Sequence, residues 1–281
     1  MSGYWQLGAK LIDLSTPRIM AVVNATPDSF YAASRLGSHR MDALYALLKA
    51  GADILDVGGQ STRPGSARVG PAQEIERVVP VVEELRQLSE DIPVTVDTYH
   101  AAVARAALDA GADGVNDISA GRFDAGLLPL VAERQCGYVL MHMLGTPETM
   151  QADPRYTDCV AEVSEFFRER LAATDELGID LRRVVLDPGI GFGKRLEDNL
   201  ALMTHAAELG RIGPPLLLGI SRKSFIASIS GEKNAGNRLA GTLGATWGLL
   251  DQGVMLHRVH DPRAIRQLMD VWLAWRSARE A

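Results

Sequence analysis

The sequence predicts an α/β fold, a (β/α)8 TIM barrel with a short N-terminal β-hairpin. Three observations predict it. Short β-branched runs alternate with longer amphipathic stretches as far as the C-terminus, each apolar run ends in a polar or glycine-rich group, and eight such units fill the 281 residues. A doubly wound open sheet is the alternative. Against it, no G-x-G-x-x-G follows the first strand and no residues are left over for a second domain. No linker is visible, so residues 1–281 read as one domain, with about 17–275 as the barrel proper.

In chain order, residues 4–14 read as a hairpin turning at Leu7-Gly-Ala-Lys10, placed to cap the barrel bottom. Strands are expected at 19–24, 53–58, 93–97, 113–116, 137–142, 183–187, 216–220 and 255–259. Between them, Ile75, Val78, Val79, Val82 and Leu85 recur at helical spacing, as do Val160, Val163, Phe167 and Leu171. Pro80 falls inside the first of these patterns, where a proline is expected to kink or restart the helix. Gly51-Ala-Asp and Gly111-Ala-Asp form a faint repeat in which glycine closes a helix before the next strand. Gly137 and Gly253 are expected to do the same. The last helix opens at Asp261 as N-cap with Pro262 in its first turn, and turns Ile265, Leu268, Met269 and Trp272 to the core.

Composition excludes several classes. With 47% apolar and 23% charged residues the chain is neither disordered nor of low complexity. No apolar run approaches a membrane span and no secretory signal opens the chain, which points away from membranes and toward the cytoplasm. Cys136 and Cys159 form no metal spacing and no disulfide framework, in keeping with a reducing compartment. A net charge of −6 argues against nucleic acid as a partner, so any anionic ligand needs a local positive cluster.

Catalytic residues of such barrels gather where strands end. Here the ends carry Asn24; Gly58 and Gly59, leading into Gln60-Ser-Thr-Arg63-Pro-Gly; Asp97; Asn116 and Asp117; His142; Asp187; Ser221, Arg222 and Lys223; and Arg258 and His260. Asp97 or Asp117 alone could be a helix cap, but eight polar endings on one mouth point to a pocket. Asp97, Asp187 and Asn116 suit either acid/base work or the flat donor edge of a heterocycle. Arg63, Lys223, Arg258 and His260 suit a phosphate or diphosphate, with rim salt bridges as the other reading. Strand alternation turns Arg258 and His260 to one side and His257 to the other, and sets Ser221 and Lys223 together with Arg222 pointing away. The six histidines lack the His-x-His of metal-dependent barrel hydrolases, and His142 reads as a hydrogen-bonded core residue. Lys223 as a Schiff-base lysine is disfavoured by the cationic neighbourhood.

Read together, these endings resemble the bacterial dihydropteroate synthase family from about residue 11 to 272. The matching strings are Asn24-Ala-Thr-Pro-Asp-Ser-Phe30, Asp56-Val-Gly-Gly-Gln-Ser-Thr-Arg-Pro-Gly65, Val96-Asp-Thr98, Val115-Asn-Asp-Ile118 and Leu140-Met-His-Met143. Asp187-Pro-Gly-Ile-Gly-Phe-Gly-Lys194, Gly219-Ile-Ser-Arg-Lys-Ser224 and Arg258-Val-His260 continue the match. The resemblance implies an enzyme that joins 6-hydroxymethyl-7,8-dihydropterin diphosphate to 4-aminobenzoate, giving 7,8-dihydropteroate and pyrophosphate. By the same resemblance, Asp97, Asn116, Met141, Asp187, Phe192 and Lys223 hold the pterin. Asn24 binds Mg²⁺ with the diphosphate, beside Thr62, Arg258 and His260. Phe30, Thr62, Arg63, Pro64 and Ser221 shape the 4-aminobenzoate site, and Arg63, Lys223, Arg258 and His260 are the catalytic residues, with Arg258 and His260 stabilising the leaving group.

Two other readings stand beside it. A methyl-transfer domain binding a reduced folate handles no diphosphate, so the Ser-Thr-Arg-Pro-Gly, Ser-Arg-Lys and Arg-Val-His strings oppose it. A non-catalytic pterin-binding paralogue is motivated by the segment after Phe30. There the family continues Ser-Asp-Gly-Gly but this chain has Tyr31-Ala-Ala-Ser34-Arg35, and Gln60 replaces a frequent Glu. Val271, Trp272, Leu273 and Trp275, with Trp247, give the last helices more apolar width than one barrel contact needs, predicting a homodimer through them.

Overall fold

The computed structural model describes residues 3–25, 38–60 and 69–280. An antiparallel hairpin, β1 (Tyr4–Leu7) and β2 (Lys10–Asp13), precedes eight parallel strands. These are β3 (Arg18–Asn24), β4 (Ile54–Gly58), β5 (Val94–Asp97), β6 (Gly114–Asp117), β7 (Gly137–Met141), β8 (Val184–Asp187), β9 (Leu217–Leu218) and β10 (Leu256–Val259). The hydrogen-bonded order runs β8-β7-β6-β5-β4-β3-β10-β9, and a parallel bridge between Leu186 and Leu216 closes the ring. All eight expected strands are present, seven within one residue of their predicted bounds, while the seventh shrinks to Leu217–Leu218. The helices are α1 (Ser38–Lys49), α2 (Pro71–Leu88), α3 (Ala101–Asp109), α4 (Leu127–Arg134), α5 (Cys159–Glu176), α6 (Leu196–Thr204), α7 (Ala206–Leu209), α8 (Ser224–Ser230), α9 (Leu239–Asp251) and α10 (Pro262–Glu280).

Alternation along each strand divides the core. Leu55, Val57, Val94 and Val96 face the helices, where they meet Val78, Val82 and Leu85 of α2. The other parity points into the barrel, and its floor is filled by Met20, Ile54, Val139, Val185, Leu217 and Leu256 around Trp5 and Leu7 of the hairpin. The hairpin is therefore a plug. Gly8 (φ +60°) takes the positive φ that the first central position of a two-residue turn needs, directing Leu7 inward. Trp5 Nε1 donates to the Arg183 carbonyl at 2.8 Å, and Lys10 pairs with Asp113 at 2.6 Å.

The structure corrects two local expectations. Gly51, Gly111 and Gly253 do close helices at positive φ (+94°, +108° and +82°), but Gly137 does not. Gln135 (φ +48°) takes the left-handed position after α4 instead, while Gly137 lies inside β7. A Cβ on Gly137 would stand 2.4 Å from Leu7 Cδ1, so this glycine makes room for the plug. Pro80 does not restart α2, which runs through it as one helix. Glu76, whose carbonyl loses its donor, is exposed, so water can take that bond.

Candidate active site

The inward parity that builds the floor also delivers polar groups two layers higher, at the mouth. Asn24 and Gly58 pair at the ends of β3 and β4, Gly58 pairs with Asp97, and Asp97 pairs with Asn116. A Cβ on Gly58 would lie 3.5 Å from Asp97 Cβ, and one on Gly219 would lie 3.7 Å from Arg258 Cβ. Glycine thus opens the mouth between the charged side chains.

Those side chains form one connected network. Arg258 donates through Nε to Asp56 at 2.6 Å and through Nη2 to Asp97 at 2.7 Å. Asn116 Nδ2 donates to the same Asp56 oxygen at 3.0 Å. Across the mouth, Asp187 Oδ1 accepts from the Gly189 backbone at 2.7 Å, which fixes the start of the glycine-rich loop after β8. Lys223 donates to the Ile190 carbonyl of that loop and stands 4.6 Å from the Phe192 ring centroid. Met141 is buried with Tyr99, Ile118, Met143 and Met150, and Phe192 packs on this cluster. Ser221 Oγ accepts from the His260 backbone at 3.2 Å and lies 3.1 Å from His260 Nδ1.

Three inward carboxylates (Asp56, Asp97, Asp187) meet two inward cations (Arg258, Lys223), leaving one negative charge unmatched among them. Burial first, then the carboxylates of Asp56, Asp117 and Asp187, push Asp97 up to about 7, with Arg258 opposing. Burial also raises Asp187, against the pull of Lys223. The same burial lowers Lys223 to about 8, and Asp187 holds it from falling further. Such a pocket favours a flat ligand rich in N–H donors and tolerant of positive charge.

The structure brings together Asn116, Asp97, Asp187, Lys223, Arg258, Met141 and Phe192, and places Ser221 against His260. Asn24 is half-buried at the end of β3. Phe30, Thr62, Arg63 and Pro64 lie outside the described residues, as does 31–35. Asp117 belongs elsewhere. Its outward side chain accepts from the backbones of Ser119 and Gly121, from Ser119 Oγ and from Tyr138 Oη, which makes it the anchor of the turn after β6. Arg222 does point away, to Asp261 at 2.8 Å, but a left-handed backbone (φ +59°) turns it rather than strand alternation. His257 is buried outside the mouth, 2.9 Å from the Val254 carbonyl. His142 is the buried histidine expected, its Nδ1 2.9 Å from Lys194 Nζ and its pKa lowered to about 2, chiefly by burial and then by Lys194.

Two residues escaped the sequence reading. Asp56 is mid-strand, not at an end, yet it shares the inward parity of Gly58. Lys194 closes the glycine-rich loop, is buried, and reaches the Phe192 carbonyl at 3.1 Å.

Comparison with known proteins identifies the family. The family model described as pterin binding enzyme matches residues 20–260. A protein of Neisseria meningitidis serogroup B named dihydropteroate synthase is 41% identical over 277 residues, 96% of each chain. The dihydropteroate synthase of Xanthomonas albilineans, solved with 4-aminobenzoic acid, superposes with a TM-score of 0.90 at 39% identity, covering 98% of this chain and 99% of that one. That of Burkholderia cenocepacia, complexed with 7,8-dihydropteroate, gives 0.87 at 38% identity, covering 99% and 98%. The chain belongs to the dihydropteroate synthase family of pterin binding enzymes.

Proposed function

We infer that the chain is a transferase of folate biosynthesis, a dihydropteroate synthase that condenses 6-hydroxymethyl-7,8-dihydropterin diphosphate with 4-aminobenzoate. The observation that carries the reading is the linked set Asn116–Asp56–Arg258–Asp97, facing Asp187 and Lys223 across one barrel mouth. Carboxylates and an amide oxygen suit the donor edge of a pterin, while Arg258 and Lys223 supply positive charge, and His260 a ring nitrogen, for a diphosphate. Met141 and Phe192 offer apolar walls for the ring.

In this proposal the C–O bond between the pterin methylene and the diphosphate breaks, both electrons leaving with the pyrophosphate. Arg258 and His260 hold the charge that builds there, and a preorganised donor of this kind is typically worth about 3 kcal/mol of barrier. Asp97 and Asp187 orient the ring and favour the positive charge left on the conjugated carbon. The arylamine nitrogen then bonds to that carbon and loses a proton to pyrophosphate or solvent. The residues present fit a magnesium ion in a limited way. Asn24 offers one hard oxygen, and the described residues contain no cluster of three or more acidic, His or Cys ligands, so the other ligands would be diphosphate oxygens and water. When bound, Mg²⁺ would help to neutralise the leaving pyrophosphate. Thr62 completes the diphosphate site in this reading, with Phe30, Arg63, Pro64 and Ser221 around 4-aminobenzoate.

The assembly we propose is a cytoplasmic homodimer. Val271 and Trp275 of α10 are 58% and 60% exposed, although Trp272 and Leu273, expected with them, pack inward. Among the described residues no helix is long and apolar enough to cross a membrane.

The test is pyrophosphate release by purified protein given the dihydropterin diphosphate and Mg²⁺, with and without 4-aminobenzoate. Release that rises with 4-aminobenzoate, alongside dihydropteroate, is the expected result. Pterin binding with no release above background would instead make the chain a non-catalytic paralogue.

A further inference from the structure

Asp56 is fully buried in the middle of β4, one layer above Ile54 of the floor and one below Gly58 of the mouth. A lone carboxylate there would be costly, and this one is met by three donors. Thr95 Oγ1 reaches it at 2.5 Å, Asn116 Nδ2 at 3.0 Å and Arg258 Nε at 2.6 Å. The donors come from β5, β6 and β10, so one side chain ties together three strands whose ends carry the site.

Its chemistry dictates what those partners show to the mouth. An ionised carboxylate only accepts. Asn116 must therefore turn its NH₂ down to Asp56, which leaves its Oδ1 as an acceptor for a ligand N–H. An amide without that partner could present either end. Arg258 is constrained likewise: with Nε on Asp56 and Nη2 on Asp97, its planar fork is held across the inner wall at a fixed angle. We propose that Asp56 is a positioning residue of the pterin site, which sets Asn116 acceptor-outward and locks Arg258 between two carboxylates without itself touching substrate. The proposal rests on the reading of the chain as a dihydropteroate synthase and extends it to a residue below the pocket.

The informative variant is Asp56→Ala. An asparagine could keep its oxygen toward Asn116 and Arg258, which share one Asp56 oxygen, and turn its NH₂ to the Thr95 hydroxyl, whereas alanine leaves Asn116 and Arg258 with no acceptor. Thr95 serves as the control, because Thr95→Val removes one donor to Asp56 while leaving those of Asn116 and Arg258 in place.

The experiment is steady-state kinetics of wild type, Asp56→Ala and Thr95→Val, each substrate varied at saturation of the other. For Asp56→Ala the pterin KM is expected to rise at least tenfold, with the 4-aminobenzoate KM within twofold. For Thr95→Val, thermal stability falls and both KM values stay within threefold. A smaller pterin effect in Asp56→Ala, or an equal rise in both KM values, overturns the proposal, since a merely structural Asp56 would make the variant behave like Thr95→Val. Should Asp56→Ala not fold, a crystal structure of wild type with the dihydropterin diphosphate decides. A ligand N–H on Asn116 Oδ1, with Asp56 out of ligand reach, supports the proposal; a ligand contact to Asp56 overturns it. Wild-type turnover is read first. Its absence sinks the functional reading, and the proposal with it, whereas normal wild-type turnover with an unchanged pterin KM in Asp56→Ala sinks the proposal alone.

Discussion

Lys194 offers a prediction whose size follows from the structure. Its ammonium is buried with only neutral partners in direct contact: His142 Nδ1 at 2.9 Å, the Phe192 carbonyl at 3.1 Å and the His142 carbonyl at 3.5 Å. Burial lowers its pKa from 10.5 to about 7. Between pH 7 and 9 the unfolded chain therefore holds a proton at this site that the folded chain gives up. Stability must then rise with pH through that window. One proton over the part of the window in which the two states differ amounts to about 2 kcal/mol. Lys194→Met removes the titration, so wild type should gain about 2 kcal/mol relative to the variant from pH 7 to pH 9. Urea unfolding of both proteins at pH 7, 8 and 9 reads this directly. Lys223, lowered to about 8, acts in the same direction but is common to both proteins and cancels in the difference. The scan stops at 9 because Cys136 and Cys159, raised to about 11 and about 12, pull stability down above their ordinary thiol pKa. Parallel stability curves for the two proteins would show that Lys194 is not a desolvated cation in the folded state.

The other predictions concern separate parts of the barrel. Asp97→Ala and Arg258→Ala should each lose at least about 100-fold in turnover, and near-normal turnover in either would remove that residue from the mechanism. Leu7→Ala, which empties the plug where Gly114 and Gly137 made room, should cost about 2–5 kcal/mol in urea unfolding. Because Leu7 fills the floor and not the mouth, kcat should be unchanged, and a large kcat loss would contradict that separation. Trp275→Asp should turn a dimer into a monomer by light scattering at micromolar protein, and a monomeric wild type would end the proposal of assembly through α10.

Much of this arrangement was legible because a barrel converts strand order into position. Once eight runs were recognised, every residue at a run's end had to arrive at one rim, which is why Asp97, Asn116, Asp187, Lys223 and Arg258 could be placed together before any coordinate. What failed was parity. Asn116 and Asp117 are neighbours at the end of β6, and only one of two successive strand residues can face inward. Ranking them together by type hid that Asp117 must face the helices, where it anchors a turn and accepts from Tyr138 Oη. The same rule, applied to Ile54-Leu55-Asp56-Val57-Gly58, would have exposed Asp56. Leu55 and Val57 claim the helix side, so the acid between them must sit inside the barrel.

Other features were beyond strand arithmetic. The glycines before strands look alike in sequence, but Gly137 is required by Leu7, a residue 130 positions away in the chain, and no local pattern records that contact. Lys194 ends a loop, where a lysine ordinarily finds water, and its burial depends on how the Gly189–Gly193 turns fold back on His142. A Cβ on Gly189 would lie 2.0 Å from the His142 carbonyl, and one on Gly193 2.6 Å from that of Leu144, so the loop lies against the β7 end with no room for a side chain at either position. That close approach is what drives the lysine inside and sets Phe192 on the methionine cluster. The pterin wall and the buried cation are thus two results of one glycine-built contact, and Lys194→Met tests the cation while leaving the glycines in place.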